Sequence, residues 1–185
     1  VSESIRSYIS DLGLSKEKDK NDSESCIYGV IPYVAPEVLS GQKFTLAADI
    51  YGFGVIMSEM STGQRPFDGC KFDDELAVKI CFGLRPEFAP GTPDCYIELA
   101  NQCMDSDPQK RLSAWDVNKI IRDWLEKIAS SDDNEIKKQF LDADKVIKSL
   151  PIPKHPDGMY TSKMISTKLI SKAIKDIYLF LTNIL

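Results

Sequence analysis

Residues 48–60 read Ala-Asp-Ile-Tyr-Gly-Phe-Gly-Val-Ile-Met-Ser-Glu-Met, and this stretch decides the fold. Drawn as a helix, it carries apolar residues on nearly every face, which is typical of a helix buried on all sides. Gly63 is placed to end it, because glycine readily takes the left-handed conformation that closes helices. The sequence therefore predicts a long, central, buried helix over residues 46–62.

Shorter segments that follow this helix also have helical patterns. The sequence predicts helices over residues 73–81 and 96–104, and a third that begins after Ser113. Ser113 and Asp116 have the spacing of a capping box, and apolar residues then recur every three or four positions as far as Ile128. We therefore expect a mainly α domain in which amphipathic helices pack round the central one.

Two segments that precede the central helix lack a helical pattern. Residues 16–25 contain no large apolar side chain, so they cannot pack into a core and are predicted to form a surface loop. Residues 29–37 contain two prolines, which exclude a continuous helix before Pro36. Pro36 itself suits the first turn of a short helix that runs to Leu39 and stops at Gly41.

The composition changes after Ile128. A Lys-rich helix is predicted over residues 135–149, a Pro-rich break over residues 151–156, and a helical pattern of undecided packing over residues 168–185. We therefore divide the chain into a first domain, residues 1–128, and a C-terminal extension, residues 129–185. The extension is expected to consist of one helix and a flexible tail that contains prolines.

Composition and charge exclude some classes of partner. The 185 residues carry a net charge of −5, which argues against a nucleic acid partner because phosphate binding needs a basic face. The apolar run over residues 177–181 is too short to span a bilayer, which needs about 20 residues. Five cysteines at irregular spacing favour thiols in a reducing compartment. We expect a cytoplasmic protein that binds neither nucleic acid nor membrane.

Four short motifs occur in order along the chain. They are Asp11-Leu12-Gly13, then Ala35-Pro36-Glu37, then Asp49-Ile50-Tyr51-Gly52-Phe53-Gly54, and finally Arg111 after Asp107-Pro108. This order resembles the protein kinase family, in which an Asp-Phe-Gly motif and an Ala-Pro-Glu motif bracket the activation segment. The resemblance covers residues 5–128 and is greatest to the tyrosine-kinase-like branch, many members of which phosphorylate Ser or Thr.

The resemblance implies a fold and an activity. The fold is the C-lobe, the mainly α part of a two-lobed α+β kinase domain. The parent protein would use ATP and Mg²⁺ to transfer the γ-phosphoryl group to Ser or Thr hydroxyls, or to Tyr hydroxyls, of a protein substrate in signal transduction. An upstream kinase would be a second partner. Residues 29–37 would help to position the substrate peptide.

The resemblance also assigns roles to single residues. Asp11 matches the carboxylate that holds Mg²⁺ on the ATP phosphates, and Gly13 matches the glycine whose backbone freedom lets the activation segment swing at the nucleotide site. Glu37 matches the carboxylate of the Ala-Pro-Glu motif, and Arg111 matches the arginine that pairs with it in a buried ion pair. Asp49 matches an aspartate that accepts backbone hydrogen bonds from the catalytic loop, a structural role.

The activation segment, by this alignment, contains candidate phosphorylation sites. Ser23, Ser25 and Tyr28 carry hydroxyls in or beside the polar loop, and a phosphate there would add charge that orders the loop. The polar composition of the loop equally fits the alternative that these three are ordinary solvated loop residues. Val30 stands where Ser/Thr kinases have a threonine, and the sequence does not match the tyrosine-kinase pattern either. The choice between Ser/Thr and Tyr as substrate therefore stays open.

Several kinase motifs are absent from the 185 residues. The chain has no Gly-rich loop, no Val-Ala-Ile-Lys lysine and no His-Arg-Asp-x-x-x-x-Asn catalytic loop, so no catalytic residue is assigned. We expect a C-lobe without its N-lobe and catalytic loop, one that is inactive by itself, as a truncated kinase would be. The alternative is a non-catalytic, pseudokinase-like scaffold that binds partners through the surface near residues 70–95.

Overall fold

The computed structural model describes residues 26–147 and 161–182, with the side chain of Ile147 excluded. Seven α-helices, one short 3-10 helix and two β-strands make up this part of the chain. In order they are β1 (Cys26–Gly29), the 3-10 helix (Ile31–Tyr33), α1 (Pro36–Leu39), α2 (Leu46–Thr62), α3 (Asp74–Cys81), α4 (Asp94–Cys103), α5 (Ala114–Ala129), α6 (Glu135–Ile147), β2 (Lys163–Ser166) and α7 (Thr167–Thr182). The mainly α fold expected from the sequence is confirmed.

Helix α2 has the predicted bounds and the predicted end. Gly63 closes it in the left-handed conformation, with φ 64°, and its N–H donates to the carbonyl oxygen of Glu59 at 2.8 Å. Helix α4 packs closely along α2 because Gly54 carries no side chain. A Cβ atom at Gly54 would lie 2.7 Å from Cγ of Met104 and 2.9 Å from the carbonyl oxygen of Ala100.

The burial of α2 differs from the prediction of a helix covered on all sides. Tyr51 and Val55 are fully buried, but Leu46, Ile56 and Met60 are 79%, 44% and 70% exposed. Asp49 is exposed with them, so one side of the helix faces the core and the other faces outward. The apolar pattern indicates which side chains would be stabilised by burial, but it does not show which of them are covered. Within the described ranges, no element covers this outward side of α2.

The other predicted helices form close to the predicted positions. Asp73 caps α3 by accepting the N–H of Leu76, and Ser113 and Asp116 form the expected capping box of α5. Helix α4 begins at Asp94, two residues before the predicted start, and the carbonyl oxygen of Pro93 accepts the N–H groups of Tyr96 and Ile97 at its first turn. Helix α6 packs on α5, where the rings of Trp124 and Phe140 are 5.6 Å apart.

The end of the described chain differs from the flexible tail expected there. Residues 163–166 form β2, which pairs antiparallel with β1, and residues 167–182 form α7, which packs against α1 and α3. Ile170 is fully buried in this contact. A four-residue strand gives too short an alternation to be recognised from the sequence, and its partner lies more than 130 positions earlier. Within the described residues, no helix is both long and apolar enough to cross a membrane.

Candidate functional site

The segment from β1 to α1, residues 26–39, is fixed to the core at several points. The 3-10 helix is closed by the N–H of Tyr33, which donates to the carbonyl oxygen of Val30 at 2.9 Å. The hydroxyl of Tyr33 donates to Oε2 of Glu59 on α2 at 2.6 Å. Val38 and Leu39 are completely buried. The core beneath the segment therefore fixes the conformation of its backbone.

The strongest of these attachments is a buried ion pair. Arg111 donates from Nη1 to Oε1 of Glu37 at 2.8 Å and from Nη2 to Oε2 at 2.6 Å, so the pair is bidentate. The Arg111 side chain is fully buried and that of Glu37 is 6% exposed. Arg111 also donates to the carbonyl oxygens of Ala47 and Asp105 at 2.9 and 2.8 Å. The structure thus brings together the two residues that the resemblance pairs.

Tyr51 lies beside this pair and between two guanidinium groups. The centres of the Arg85 and Arg111 guanidinium groups are each 5.2 Å from its ring centroid. Its hydroxyl is buried and has no hydrogen-bond partner among the described residues. Burial raises the pKa of Tyr51 to about 12, although the positive charges of Arg85 and Arg111 act in the opposite direction. The phenol therefore stays neutral at physiological pH.

Asp49 is exposed, although the sequence predicts that the helix which carries it is buried on all sides. It lies in the first turn of α2 on the outward side, together with Leu46 and Ile56. An exposed carboxylate pays no desolvation cost, so the structure removes the energetic argument for a partner within the described residues. Its assignment to a catalytic-loop contact stays a prediction.

The remaining predicted site residues fall into two groups. Tyr28 lies on β1 with 61% of its surface exposed, opposite Met164 of β2. Asp11, Gly13, Ser23 and Ser25 lie outside the described residues, so their predicted roles stay predictions. Residues 26–147 and 161–182 contain no group of three or more His, Cys, Asp or Glu side chains that could hold a metal ion.

Three attachments of the 26–39 segment and of the residue that follows it, Ser40, were not predicted from the sequence. They are the hydrogen bond from Tyr33 to Glu59, the contact of the Cys81 thiol with the carbonyl oxygen of Pro36 at 3.5 Å, and the bond from Ser171 to the carbonyl oxygen of Ser40 at 2.7 Å. Each joins residues at least 26 positions apart, and none belongs to a short motif. The polar character of Tyr33 and Glu59 within an apolar setting was the one available signal.

A separate cavity lies at the far end of α2. It has a volume of about 490 Å³ and is lined mainly by two stretches of chain, residues 64–70 and 84–90. The first stretch contains one proline and one phenylalanine, and the second contains two prolines and one phenylalanine. Phe67, on the first stretch, has a φ of 58°, which is unusual for a residue other than glycine. This cavity overlaps the surface near residues 70–95.

Comparison with known proteins agrees with the geometry. The family model described as protein tyrosine and serine/threonine kinase matches residues 1–121. Serine/threonine-protein kinase/receptor R818 of Acanthamoeba polyphaga mimivirus is 34% identical over 125 residues, which is 68% of this chain and 8% of that protein. A serine/threonine-protein kinase of Dictyostelium discoideum is 31% identical over 115 residues, 62% of this chain and 7% of the relative. Cyclic GMP-binding protein C of the same organism is 33% identical over 100 residues, 52% of this chain and 4% of the relative. The chain thus spans less than a tenth of each of these relatives.

Proposed function

The chain belongs to the protein tyrosine and serine/threonine kinase family, and from this premise we propose that its parent protein transfers the γ-phosphoryl group of ATP to Ser or Thr hydroxyls of a protein substrate. The observation that carries the proposal is the buried, bidentate pair of Glu37 and Arg111. It joins the Ala-Pro-Glu motif to the arginine that follows Asp107-Pro108, as the resemblance implies. The names of the similar mimivirus and Dictyostelium kinases favour Ser and Thr over Tyr.

Within this activity, the 26–39 segment is the platform for the substrate peptide. The ion pair, the Tyr33–Glu59 hydrogen bond and the buried Val38 and Leu39 hold its backbone still. A backbone that is already fixed loses little conformational entropy when a substrate binds, and it keeps the accepting hydroxyl within reach of the phosphoryl group.

The nucleotide is assigned through Asp11 and Gly13, which lie outside the described residues. Asp11 would hold Mg²⁺, which neutralises charge on the ATP phosphates when bound, and Gly13 would let the activation segment move. Asp49 would accept hydrogen bonds from a catalytic loop that covers the outward side of α2, where Leu46, Ile56 and Met60 are exposed. The chain by itself, without the lysine and catalytic-loop motifs, is expected to transfer no phosphate. Phosphorylation at Ser23, Ser25 or Tyr28 by an upstream kinase would regulate the parent.

The test uses the full-length protein that contains this chain. Transfer from Mg-ATP is measured for the wild type, for Asp11→Ala and for Asp19→Ala, which removes a carboxylate from the neighbouring polar loop. Loss of at least 100-fold is expected for Asp11→Ala because the metal loses its ligand, and little change is expected for Asp19→Ala. Equal activity of the wild type and Asp11→Ala would reject Asp11 as the metal ligand.

A second candidate function, a non-catalytic scaffold, is favoured by the cavity of about 490 Å³ at the far end of α2. Its Pro- and Phe-containing wall is suited to an apolar peptide. The two candidates differ in the sequence that precedes residue 1 in the parent. An intact His-Arg-Asp-type loop and a lysine on a preceding strand support the enzyme, and substituted residues at those positions support the scaffold.

A further inference from the structure

The edge of β1 is occupied by another part of the same chain. Cys26, Ile27, Tyr28 and Gly29 pair antiparallel with Ser166, Ile165, Met164 and Lys163, respectively. Strand β1 leads directly into the 3-10 helix and α1, the part of the substrate platform that the Glu37–Arg111 pair anchors. An extended peptide that approached the platform by strand pairing would meet β2 already bound there.

The pairing has one buried face and one exposed face. Ile165 is 4% exposed and lies opposite Ile27, which is 9% exposed. Gly29 packs closely on Val34 beside this contact, because a Cβ atom there would lie 3.0 Å from Cγ2 of Val34, whereas it would be in ordinary contact, at 4.0 Å, with Cδ1 of Ile165. On the other face, Tyr28 and Met164 are both largely exposed. The backbone therefore supplies most of the pairing, and one aliphatic side chain supplies the buried anchor.

A two-stranded sheet is not stable alone, and α7 supplies the remaining support. Thr167 and Ile170, in its first turn, are 3% and 0% exposed, and Ser171 donates to the carbonyl oxygen of Ser40. Further along the same helix, Tyr178, Leu179 and Phe180 are 57–67% exposed. Helix α7 is also attached beyond its first turn, because Ile174 packs against the core and the ring of Tyr178 lies 5.5 Å from that of Phe82. The pairing with β1 itself is confined to the four residues 163–166. A strand of this length can be exchanged for another extended segment of similar chemistry.

The surroundings of β2 indicate which segment fits. A cavity of about 200 Å³ separates the strand from the start of α3, where Asp73 and Asp74 lie, and Lys163 lines it from the strand side. Lys163 and Ile165 are two residues apart and therefore lie on one face of the strand. A fitting segment therefore has a basic residue, which faces the acidic cavity wall, two positions before an aliphatic residue, which packs beside Ile27.

We propose that residues 163–171 hold the β1 edge as an intramolecular competitor of the protein substrate, and that the substrate docks there as an extended segment with a basic residue two positions before an aliphatic one. This inference rests on the proposed function. Release of the tail frees the edge, and docking of the tail closes it.

The first test locks the tail in place. Ser166→Cys in the full 185-residue chain puts a thiol directly opposite Cys26, at a separation that a disulfide spans. Mild oxidation is expected to give an intramolecular disulfide between Cys26 and the introduced thiol, detected by mass spectrometry of the monomer. Met164→Cys is the matched control, because it faces Tyr28 and should not cross-link. Failure of Ser166→Cys to cross-link, or equal cross-linking of both variants, overturns the pairing.

The second test measures access to the edge. A fluorescein-labelled peptide with the sequence of residues 161–170 is titrated against Ser166→Cys before and after oxidation, without nucleotide. We expect at least tenfold weaker binding after oxidation, restored by reductant, and at least tenfold tighter binding to Ile165→Ala than to the wild type. The same peptide with Asp in place of its isoleucine at position 165 should not bind. Equal binding to the oxidised and reduced chain, including none to either, overturns the proposal whether or not Ile165→Ala folds.

The third test connects the edge to phosphoryl transfer. In the full-length protein, oxidation of Ser166→Cys should lower phosphorylation of a peptide substrate at least tenfold and leave ATP binding unchanged. Unchanged phosphorylation after cross-linking contradicts the competition. A full-length protein inactive before oxidation contradicts the proposed function instead, and the peptide titration still decides the inference because it uses no ATP.

Discussion

Arg111 shows at the residue scale how one side chain joins three separate stretches of the chain. Its guanidinium group reaches Glu37 in the platform, Ala47 in the first turn of α2 and Asp105 after α4, and it also lies over the ring of Tyr51. A rigid group with five donors suits this position, whereas the ammonium group of lysine could not satisfy the same partners. The pair of charges is buried, so each depends on the other.

The first prediction removes one charge of this pair. Arg111→Met should lower the free energy of unfolding by about 3–5 kcal/mol, because it leaves the Glu37 carboxylate buried without a counter-ion. Urea denaturation measures the change. Lys79→Met is the control, since Lys79 pairs with Glu75 at 2.6 Å on an exposed helix surface, and it should have little effect. Similar losses for both variants would contradict the role given to the buried pair.

The second prediction concerns the Tyr51 hydroxyl, which is buried without a described partner. Tyr51→Phe should leave the free energy of unfolding at pH 8 unchanged or slightly higher, because it keeps the ring between Arg85 and Arg111 and removes an unsatisfied group. A loss above about 1 kcal/mol at pH 8 would show that the hydroxyl makes a stabilising bond.

The pH dependence of the same variant gives a third prediction. The pKa of Tyr51 is raised from 10.0 to about 12 in the fold, so the unfolded chain loses this proton first. The contribution of the protonated Tyr51 to the free energy of unfolding is therefore complete below pH 10, and it is lost as the pH rises towards 12. Between pH 8 and pH 11 the wild type should therefore lose about 1 kcal/mol more than Tyr51→Phe. Parallel curves for the two proteins would contradict the raised pKa.

At the scale of elements, local signals in the sequence specified the helices well and the long-range contacts poorly. The end of α2 at Gly63, the Ser113–Asp116 cap and the short helix that begins at Pro36 depend on residues within four positions of each other. The pairing of β1 with β2 and the docking of α7 depend on residues far apart in the chain. The outward side of α2 was also missed, because an apolar residue can remain exposed until another element covers it.

The same division applies to the candidate site. The pairing of Glu37 with Arg111 was expected because both lie in recognisable motifs. The bond from Tyr33 to Glu59 was not, since neither residue has a local pattern that indicates its partner. Asp11 and Gly13 lie outside the described residues, so the assignment of their roles still rests on the motif.

The fourth prediction tests the close packing of α2 on α4. Gly54→Ala should lower the free energy of unfolding by about 1–3 kcal/mol, despite the better helix propensity of alanine, because the new methyl group would meet Met104 and the backbone of Ala100. Gly52→Ala on the same helix is the control. Its nearest contact would be the carbonyl oxygen of Tyr33 at 3.3 Å, so its cost should be smaller. The reverse order of the two losses would contradict this packing.

At the scale of the whole molecule, the central helix links two kinds of surface. One side of α2 supports the core, α4 and the buried pair, and the other side leaves Leu46, Ile56 and Met60 exposed beside Asp49. The platform lies at one end and the tail is docked on it. This arrangement agrees with a C-lobe that supports the substrate while other parts of the parent protein supply the nucleotide site.

The proposed kinase activity is tested most directly by measuring the transfer of labelled γ-phosphoryl from ATP by the full-length protein, in Mg²⁺ and after chelation with EDTA. We expect the label on Ser or Thr residues of protein, its loss on chelation because the phosphates lose their counter-ion, and its return when Mg²⁺ is added back. Absence of labelled protein in Mg²⁺, or equal labelling in EDTA, would contradict a magnesium-dependent protein kinase and favour the scaffold.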